Sequence, residues 1–399
     1  MVISVLVLIC FTVIYLVYRH RAEITVSWWN LLVLKIVAGL GYVLLYKLYY
    51  QEGDLFFYQD LANQFIDNKA GYSLFNLFSN DPVFLIQNQQ PRTLLFAKIF
   101  TFVYVLCGQN IYLSSIVFSI FSASLLFLAF RVFPNGWNKT AWVYALFLPS
   151  IVFFGSGINK DTLSFPFFLV VFFLIINWVD RGIGVRGLLL LGVSAVVLFK
   201  LRFFYLPLLT VFGFVYAAGK YRDKSIFWIL AGLIVGVYLV GNRYLIPQLQ
   251  PKYFLEILHI SYRKMQMNSV PGSSMVLNFQ ENDGWSTLVA MIVSLKGMFF
   301  LRFDGFLTYF ASFENLLVFT CVVSSLIISR KTLSYQYFTI LIFVLVSALI
   351  INVTTPNFGS LIRYRVFYWF VLVGASLELL VVHIDKLPAK KILNSFRFR

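Results

Sequence analysis

The chain predicts an all-α, polytopic transmembrane helical bundle of about eleven spans, with interfacial helices in two large external loops. Three observations carry that prediction. The composition is 60% hydrophobic and only 12% charged, with a mean hydropathy of +0.83, which lies outside the soluble range. Apolar runs of the length a membrane helix needs, about 17 to 25 residues, recur from end to end. Basic clusters separate alternate pairs of these runs, as cytoplasmic loops do.

Val2 to Tyr18 is the first span, read as a retained helix because no basic segment precedes it and no small-residue cleavage site follows. Arg19-His20-Arg21 then keeps its end in the cytoplasm, which places the N-terminus outside. Val26 to Tyr49 returns outward. It carries Lys47, which can snorkel to the interface, and Lys35, deep enough that it must face protein or water. Residues 50–110 form the first external loop, where Leu94 to Leu106 reads as an interfacial helix after the Gln89-Gln90-Pro91 turn signal.

Ile111 to Phe130 runs inward to Arg131, and Pro134-Asn135-Gly136 with Lys139 forms a tight inner loop. Ala141 to Phe154 comes out and Leu163 to Val179 goes in, toward Arg181 and Arg186. Leu188 to Leu201 and Phe203 to Gly219 form an outward and inward pair that ends at Lys220, Arg222 and Lys224. Ile226 to Ile246 leads to the second external loop, residues 247–311, in which Leu288 to Leu301 reads as interfacial or re-entrant. Ser312 to Ser329, Phe338 to Val353 and Val366 to His383 complete the count, with Arg330-Lys331 and the basic tail from Lys386 to Arg399 inside. The whole chain, 1–399, thus reads as one transmembrane domain without an internal repeat.

The charges sharpen this picture. The net charge of +16 would suggest nucleic acid in a soluble protein, but at membrane edges it sets orientation and meets anionic head groups, so no nucleic-acid partner is expected. Of the 16 acids, all but Glu23, Asp180, Asp223, Glu378 and Asp385 fall on the external side of this topology, so any chemistry faces out. Cys10, Cys107 and Cys321 sit in apolar segments without CxxC or Cys/His spacing and read as packing residues. No hydrolase, P-loop or metal motif occurs. No cofactor is implied, and whether a divalent metal assists is left open.

The stretch Glu52 to Asp60 lies just beyond the end of a membrane helix, and its carboxylates supply what a sugar transfer needs, a base that deprotonates an attacking hydroxyl. Asp54 is the candidate base, with Tyr58 and Asp60 as sugar-pocket candidates. Asp60 reads equally as a solvated helix edge, and Glu52 as interfacial solvation. Four further charged points recur at outer span ends: Gly155 to Asp161, Lys200-Leu201-Arg202, Arg302-Phe303-Asp304 with Glu314, and Asn357 to Arg365.

Lys and Arg beside apolar helices are what an anionic lipid phosphate requires, so Lys160, Arg202, Arg302, Arg363 and Arg365 are its candidate ligands. Asp161 and Glu314 are further substrate-binding candidates. Lys160 and Asp161 read also as a surface pair at a helix start, and Arg302, Arg363 and Arg365 also as head-group anchors. A carboxylate in an apolar helix needs a partner, and Arg302 is the default one for Glu314. Gly39 and Gly41 read as helix-packing positions.

The order of these features resembles the GT-C superfamily of integral membrane glycosyltransferases. A helix ends in an acidic stretch followed by an aromatic and an alanine, here Asp54, Tyr58 and Ala62. A long external loop with an interfacial helix comes next, here Gln90-Pro91 and Leu94 to Leu106 closing at Gly108. An in-and-out pair then leads to a second charged motif, from Leu148-Pro149-Ser150 to Lys160-Asp161. The resemblance covers residues 1–200 in motif order. The segments GSGINKD, LRFDGF with Phe313-Glu314-Asn315, and NFGSLIRYR also look like uncharacterised bacterial membrane proteins encoded with polysaccharide genes.

The resemblance implies a polyprenyl-phosphate-linked sugar as donor, Asp54 at the catalytic acidic position, and a variable helical module over 201–399. Two departures are the extra helix Val2 to Tyr18 and the lack of a C-terminal soluble domain. They turn the expectation from protein glycosylation toward a glycan or lipid-linked acceptor. An O-antigen-type polymerase, relying on Arg363 and Arg365, and a flippase without covalent chemistry are the alternative expectations.

Overall fold

The computed structural model describes residues 26–51, 53–67, 91–202, 204–221, 251–267, 275, 277, 284–303, 305–329 and 334–386, and all regular structure among them is helical. The expected spans Val2 to Tyr18 and Ile226 to Ile246 lie outside these residues. Among the described residues five helices are long and apolar enough to cross a membrane: Ser27–Tyr50, Ile111–Val132, Lys160–Arg181, Thr308–Ser329 and Tyr335–Thr354. The bent pair Phe358–Tyr364 and Val366–Val381, which turns by 53°, makes a sixth if it is one span. The chain is a multi-pass membrane protein on that basis.

The fold comprises two compact units. The first draws on Met1–Asn135 and Ile151–Pro207, and the second on Gly136–Ser150 and Leu208–Arg399. In the first unit α1 (Val26–Leu45), extended by a π turn over Tyr46–Tyr50, packs on α4 (Ile111–Ala129). Two shorter helices, α2 (Asp54–Asp67) and α3 (Pro91–Leu106), pack together. The α7 helix (Lys160–Arg181) lies against both α4 and α8 (Val185–Arg202).

The α1–α4 contact follows from small residues. Ser115, Ser119 and Ser122 line one face of α4 at helical spacing. Ser115 Oγ donates to the Gly39 carbonyl at 2.7 Å, which only a close backbone approach permits. A Cβ on Gly39 would run into Ser119 Oγ, whereas one on Gly41 would meet nothing within 4 Å. Gly39 is therefore a packing position and Gly41 is not.

The expected span Ala141 to Phe154 is instead two short helices, α5 (Lys139–Ala145) and α6 (Pro149–Phe154). Proline has no N–H to continue the ladder, and its ring clashes with the carbonyl four residues back, so α5 cannot run through Pro149. Leu146, Phe147 and Leu148 close the break with tight i to i−3 bonds of 3.1, 3.0 and 3.3 Å. The α8 helix carries Arg186, Lys200 and Arg202, and α9 (Tyr205–Tyr221) has 17 residues, so neither ranks among the spanning helices.

In the second unit the hub is α15 (Val366–Lys386), which packs on α5, on α12 (Phe306–Ser329) and on α13 (Tyr335–Thr354). Gly374 lies against Trp142, where a Cβ would sit 2.5 Å from the indole. One turn along, Glu378 accepts the Trp142 Nε1–H at 2.7 Å and the Asn138 amide at 3.3 Å. Around this hub, α10 (Pro251–Met267) and α11 (Gly284–Ser294) pack on α13, and α14 (Phe358–Tyr364) touches α12, α13 and α15.

Asparagines start four of these helices by accepting backbone N–H bonds in the first turn. They are Asn110 for α4, Asn138 for α5, Asn159 for α7 and Asn357 for α14.

Candidate functional site

In the first unit Asp54 is the opening residue of α2, four residues past the end of the span Ser27–Tyr50. Gly53 precedes it at φ +113°, a conformation that admits glycine and turns the chain from α1 into α2. A carboxylate in a helix's first turn is favoured by the exposed N–H groups there, so the half-buried Asp54 is held where the sequence needs it. Tyr58, one turn on and on the same face, is buried edge-on against Phe96 at 4.7 Å. Asp60 is exposed and does not join them. Beside it Gln59 Nε2 donates to the Tyr104 hydroxyl at 3.3 Å, tying α2 to α3.

The Gly155 to Asp161 stretch is a buried junction. Lys35 is 1% exposed, and its ammonium donates to the Gly155 carbonyl at 2.5 Å; Ser122 Oγ donates to the same oxygen at 2.9 Å. Ser119 Oγ donates to the Ser156 carbonyl at 2.9 Å. Gly157 lies against the Tyr42 ring so closely that a Cβ would overlap it. Asn159 caps α7 by accepting from the amides of Asp161 at 2.8 Å and Thr162 at 3.2 Å. The loop carbonyls that the turn frees are thus taken up by side chains of α1 and α4, as buried backbone demands.

Asp161 and Arg202 come together as a bidentate pair: Nε donates to Oδ1 and Nη2 to Oδ2, both at 2.8 Å, with Asp161 fully buried. Each neutralises the other, which is how two charges persist inside an apolar bundle. The edge of Arg202 that would meet a phosphate is occupied by Asp161. Lys160, the next residue toward the loop, is half-buried at the start of α7.

The second unit holds a separate buried cluster. Glu314, on α12, is 1% exposed. Its two oxygens accept the Ser150 hydroxyl at 2.7 Å and the Ser150 amide at 3.1 Å. The expected partner Arg302 is not among its contacts. Arg302 instead stacks over the Phe358 ring at 4.6 Å, while the buried charge that Glu314 feels is Arg365. Arg302 was the expected partner because it is near in sequence, but the bend at Arg365 between α14 and α15 brings that residue into the same core.

Arg365 is completely buried. Its Nη1 donates to Asn315 Oδ1 at 2.6 Å, and Asn315 Nδ2 donates to the Phe300 carbonyl at 2.5 Å. The guanidinium carbon lies 4.1 Å from the Trp369 ring centre and 5.4 Å from that of Phe300. Deeper in this unit Asn352 donates to the Ser294 carbonyl at 2.9 Å and accepts the Tyr368 hydroxyl at 3.3 Å. Arg363 is half-buried, its guanidinium 5.8 Å from the Tyr364 ring.

The sequence-based candidates therefore separate into Asp54 with Tyr58, Asp161 with Arg202, and Glu314 near Arg365, with Lys160, Asp60, Arg302 and Arg363 outside these pairings. Sequence reasoning noted Ser150, Asn159 and Asn315 only inside motifs, without a role, and missed Asn352 and Trp369. Asn315 and Asn352 had a signal: an amide inside an apolar helix must find a partner, as a buried charge must. Among the described residues no three His, Cys, Asp or Glu side chains gather. No protein-family model, curated protein or solved structure matches the chain.

Proposed function

We propose that the chain is an integral membrane glycosyltransferase of the bacterial inner membrane, acting on the external face. It would span the membrane about eleven times, with the N-terminus outside and the C-terminus cytoplasmic. The donor is a polyprenyl-phosphate-linked sugar and the acceptor a glycan or lipid-linked hydroxyl. The observation that carries the reading is Asp54, a half-buried carboxylate at a helix start immediately past a spanning helix.

In the reaction the acceptor hydroxyl attacks the anomeric carbon as its proton passes to an Asp54 oxygen. The bond between that carbon and the phosphate oxygen breaks, and polyprenyl phosphate leaves with the electron pair. A phosphate departs readily once its charge is met, so a second acidic carboxylate is not required. Tyr58, on the same face of α2, would line the sugar position. Lys160, in the same unit, would stand at the head-group level. Asp161 and Arg202, closed on each other, would hold the fold.

Membranes containing Asp54→Asn protein, expressed at the wild-type level, should lose transfer from a polyprenyl-phosphate sugar by a factor of about 10² to 10⁴. Transfer at the wild-type rate would overturn the assignment.

A further inference from the structure

Arg365 and Trp369 are both completely buried, and together they keep three N–H donors unmet. Nη1 of Arg365 donates to Asn315 Oδ1 at 2.6 Å, while its Nε and Nη2 and the Trp369 Nε1 have no hydrogen-bond partner among the described residues. The guanidinium carbon lies 4.1 Å from the Trp369 ring centre, so the three donors share one place in the core. A charge persists in an apolar core when an opposite charge meets it, and the amide oxygen of Asn315 is neutral. Glu314 does not fill the edge, because its oxygens accept from the Ser150 hydroxyl and amide.

Nε and Nη2 form the side-on edge of the guanidinium, and the chain itself shows what such an edge takes. In the first unit Arg202 uses the same two atoms to hold both oxygens of Asp161, each at 2.8 Å. Two parallel N–H groups match two carboxylate oxygens, which keep acceptor capacity for a third donor, here the Trp369 N–H. Shape then selects among anions. A carboxylate gripped side-on lies in the guanidinium plane, whereas a phosphate puts an oxygen on either side of it, one of them on the side of the Trp369 ring.

We infer that Arg365 and Trp369 form a binding site for a monocarboxylate. The two ligand oxygens accept from Nε and Nη2, one of them also from the Trp369 indole, and the single negative charge balances the guanidinium. A row of rings leads there. Phe300 lies 5.4 Å from the guanidinium carbon, Phe358 packs on Phe300 at 4.8 Å, and Arg302 stacks on Phe358 at 4.6 Å. Phe358 and Arg302 are half-buried, so the row reaches the surface of the unit. Apolar walls with a few placed polar groups are what a small-molecule site needs, and these suit the apolar face of a uronic acid ring and the chain of a fatty acid alike. All of these groups belong to the second unit, and the site does not rest on Asp54 or on the transferase reading.

The test is equilibrium dialysis of the full chain in phosphatidylcholine nanodiscs, with binding to empty nanodiscs subtracted. Radiolabelled methyl glucuronide and laurate are the probes, each compared with its methyl ester and with a methyl phosphodiester on the same skeleton. At least one acid should bind about tenfold tighter than both of its comparators. Saturable binding of methyl glucuronide assigns the site to an acidic sugar and binding of laurate assigns it to a membrane fatty acid; both support the site. Arg365→Lys, which keeps the charge but loses the fork, should weaken the acid by about tenfold. Trp369→Phe, which keeps a ring but loses the N–H, should weaken it by about fivefold, and carries the test if Arg365→Lys fails to fold.

No saturable binding of either acid, or equal binding of acid and ester, would overturn the site. A phosphodiester bound as tightly as its acid would overturn the carboxylate and give the edge to a phosphate. Wild-type affinity in either folded variant would overturn the three-donor site.

Discussion

Arg202 closes its guanidinium edge on Asp161 at 2.8 Å, and Arg365 leaves the same edge open in an equally buried setting. The difference separates a guanidinium whose side-on edge is fully engaged from one whose Nε and Nη2 have no hydrogen-bond partner among the described residues. For the closed pair the prediction concerns stability. Asp161→Ala leaves a buried guanidinium uncompensated and should destabilise the protein by about 3 to 5 kcal/mol, read as thermal unfolding in detergent. The double variant Asp161→Leu/Arg202→Met should recover most of that loss, since it removes both charges together. A single variant within about 0.5 kcal/mol of wild type would remove the pair from the list of fold determinants.

At the scale of elements, the GSGINKD loop is held because α1 offers Lys35 and two close contacts, Gly39 and Tyr42, to the residues around it. Gly39→Ala should cost about 1 to 3 kcal/mol through overpacking against Ser119, while Gly41→Ala, with nothing within 4 Å, should stay near neutral. Comparable melting shifts for the two would contradict the packing.

Much of this level was legible in the sequence. The long apolar runs at Val26 to Tyr49, Ile111 to Phe130 and Leu163 to Val179 correspond to spanning helices, because length and hydropathy alone decide them. The Ala141 to Phe154 run was not, since its hydropathy concealed the break that Pro149 imposes. The site was legible only as residue types. The sequence contains Asp161 and Arg202 but not their pairing, forty-one positions apart, and a partner for Glu314 chosen by proximity in the chain is the wrong arginine.

For the whole molecule, the described helices make a multi-pass bundle in two units, and the proposed orientation adds a direction to it. Asp60 and Arg186 are both exposed and fall on opposite sides of the proposed topology. In a cysteine-free background, a cysteine replacing Asp60 should react with a membrane-impermeant maleimide in intact spheroplasts. One replacing Arg186 should react only after permeabilisation. Labelling of both, or of Arg186→Cys alone, before permeabilisation would reverse or remove the outward-facing placement of Asp54.

That placement matters because the account turns on Asp54 as the base. The most direct measurement is the rate of sugar transfer from a polyprenyl-phosphate donor in proteoliposomes, with wild type, Asp54→Asn and Arg363→Gln compared at equal protein. Asp54→Asn should fall by about 10² or more while Arg363→Gln keeps most of its turnover. An active Asp54→Asn beside an inactive Arg363→Gln would contradict it, and would move the chemistry to the arginines of the second unit.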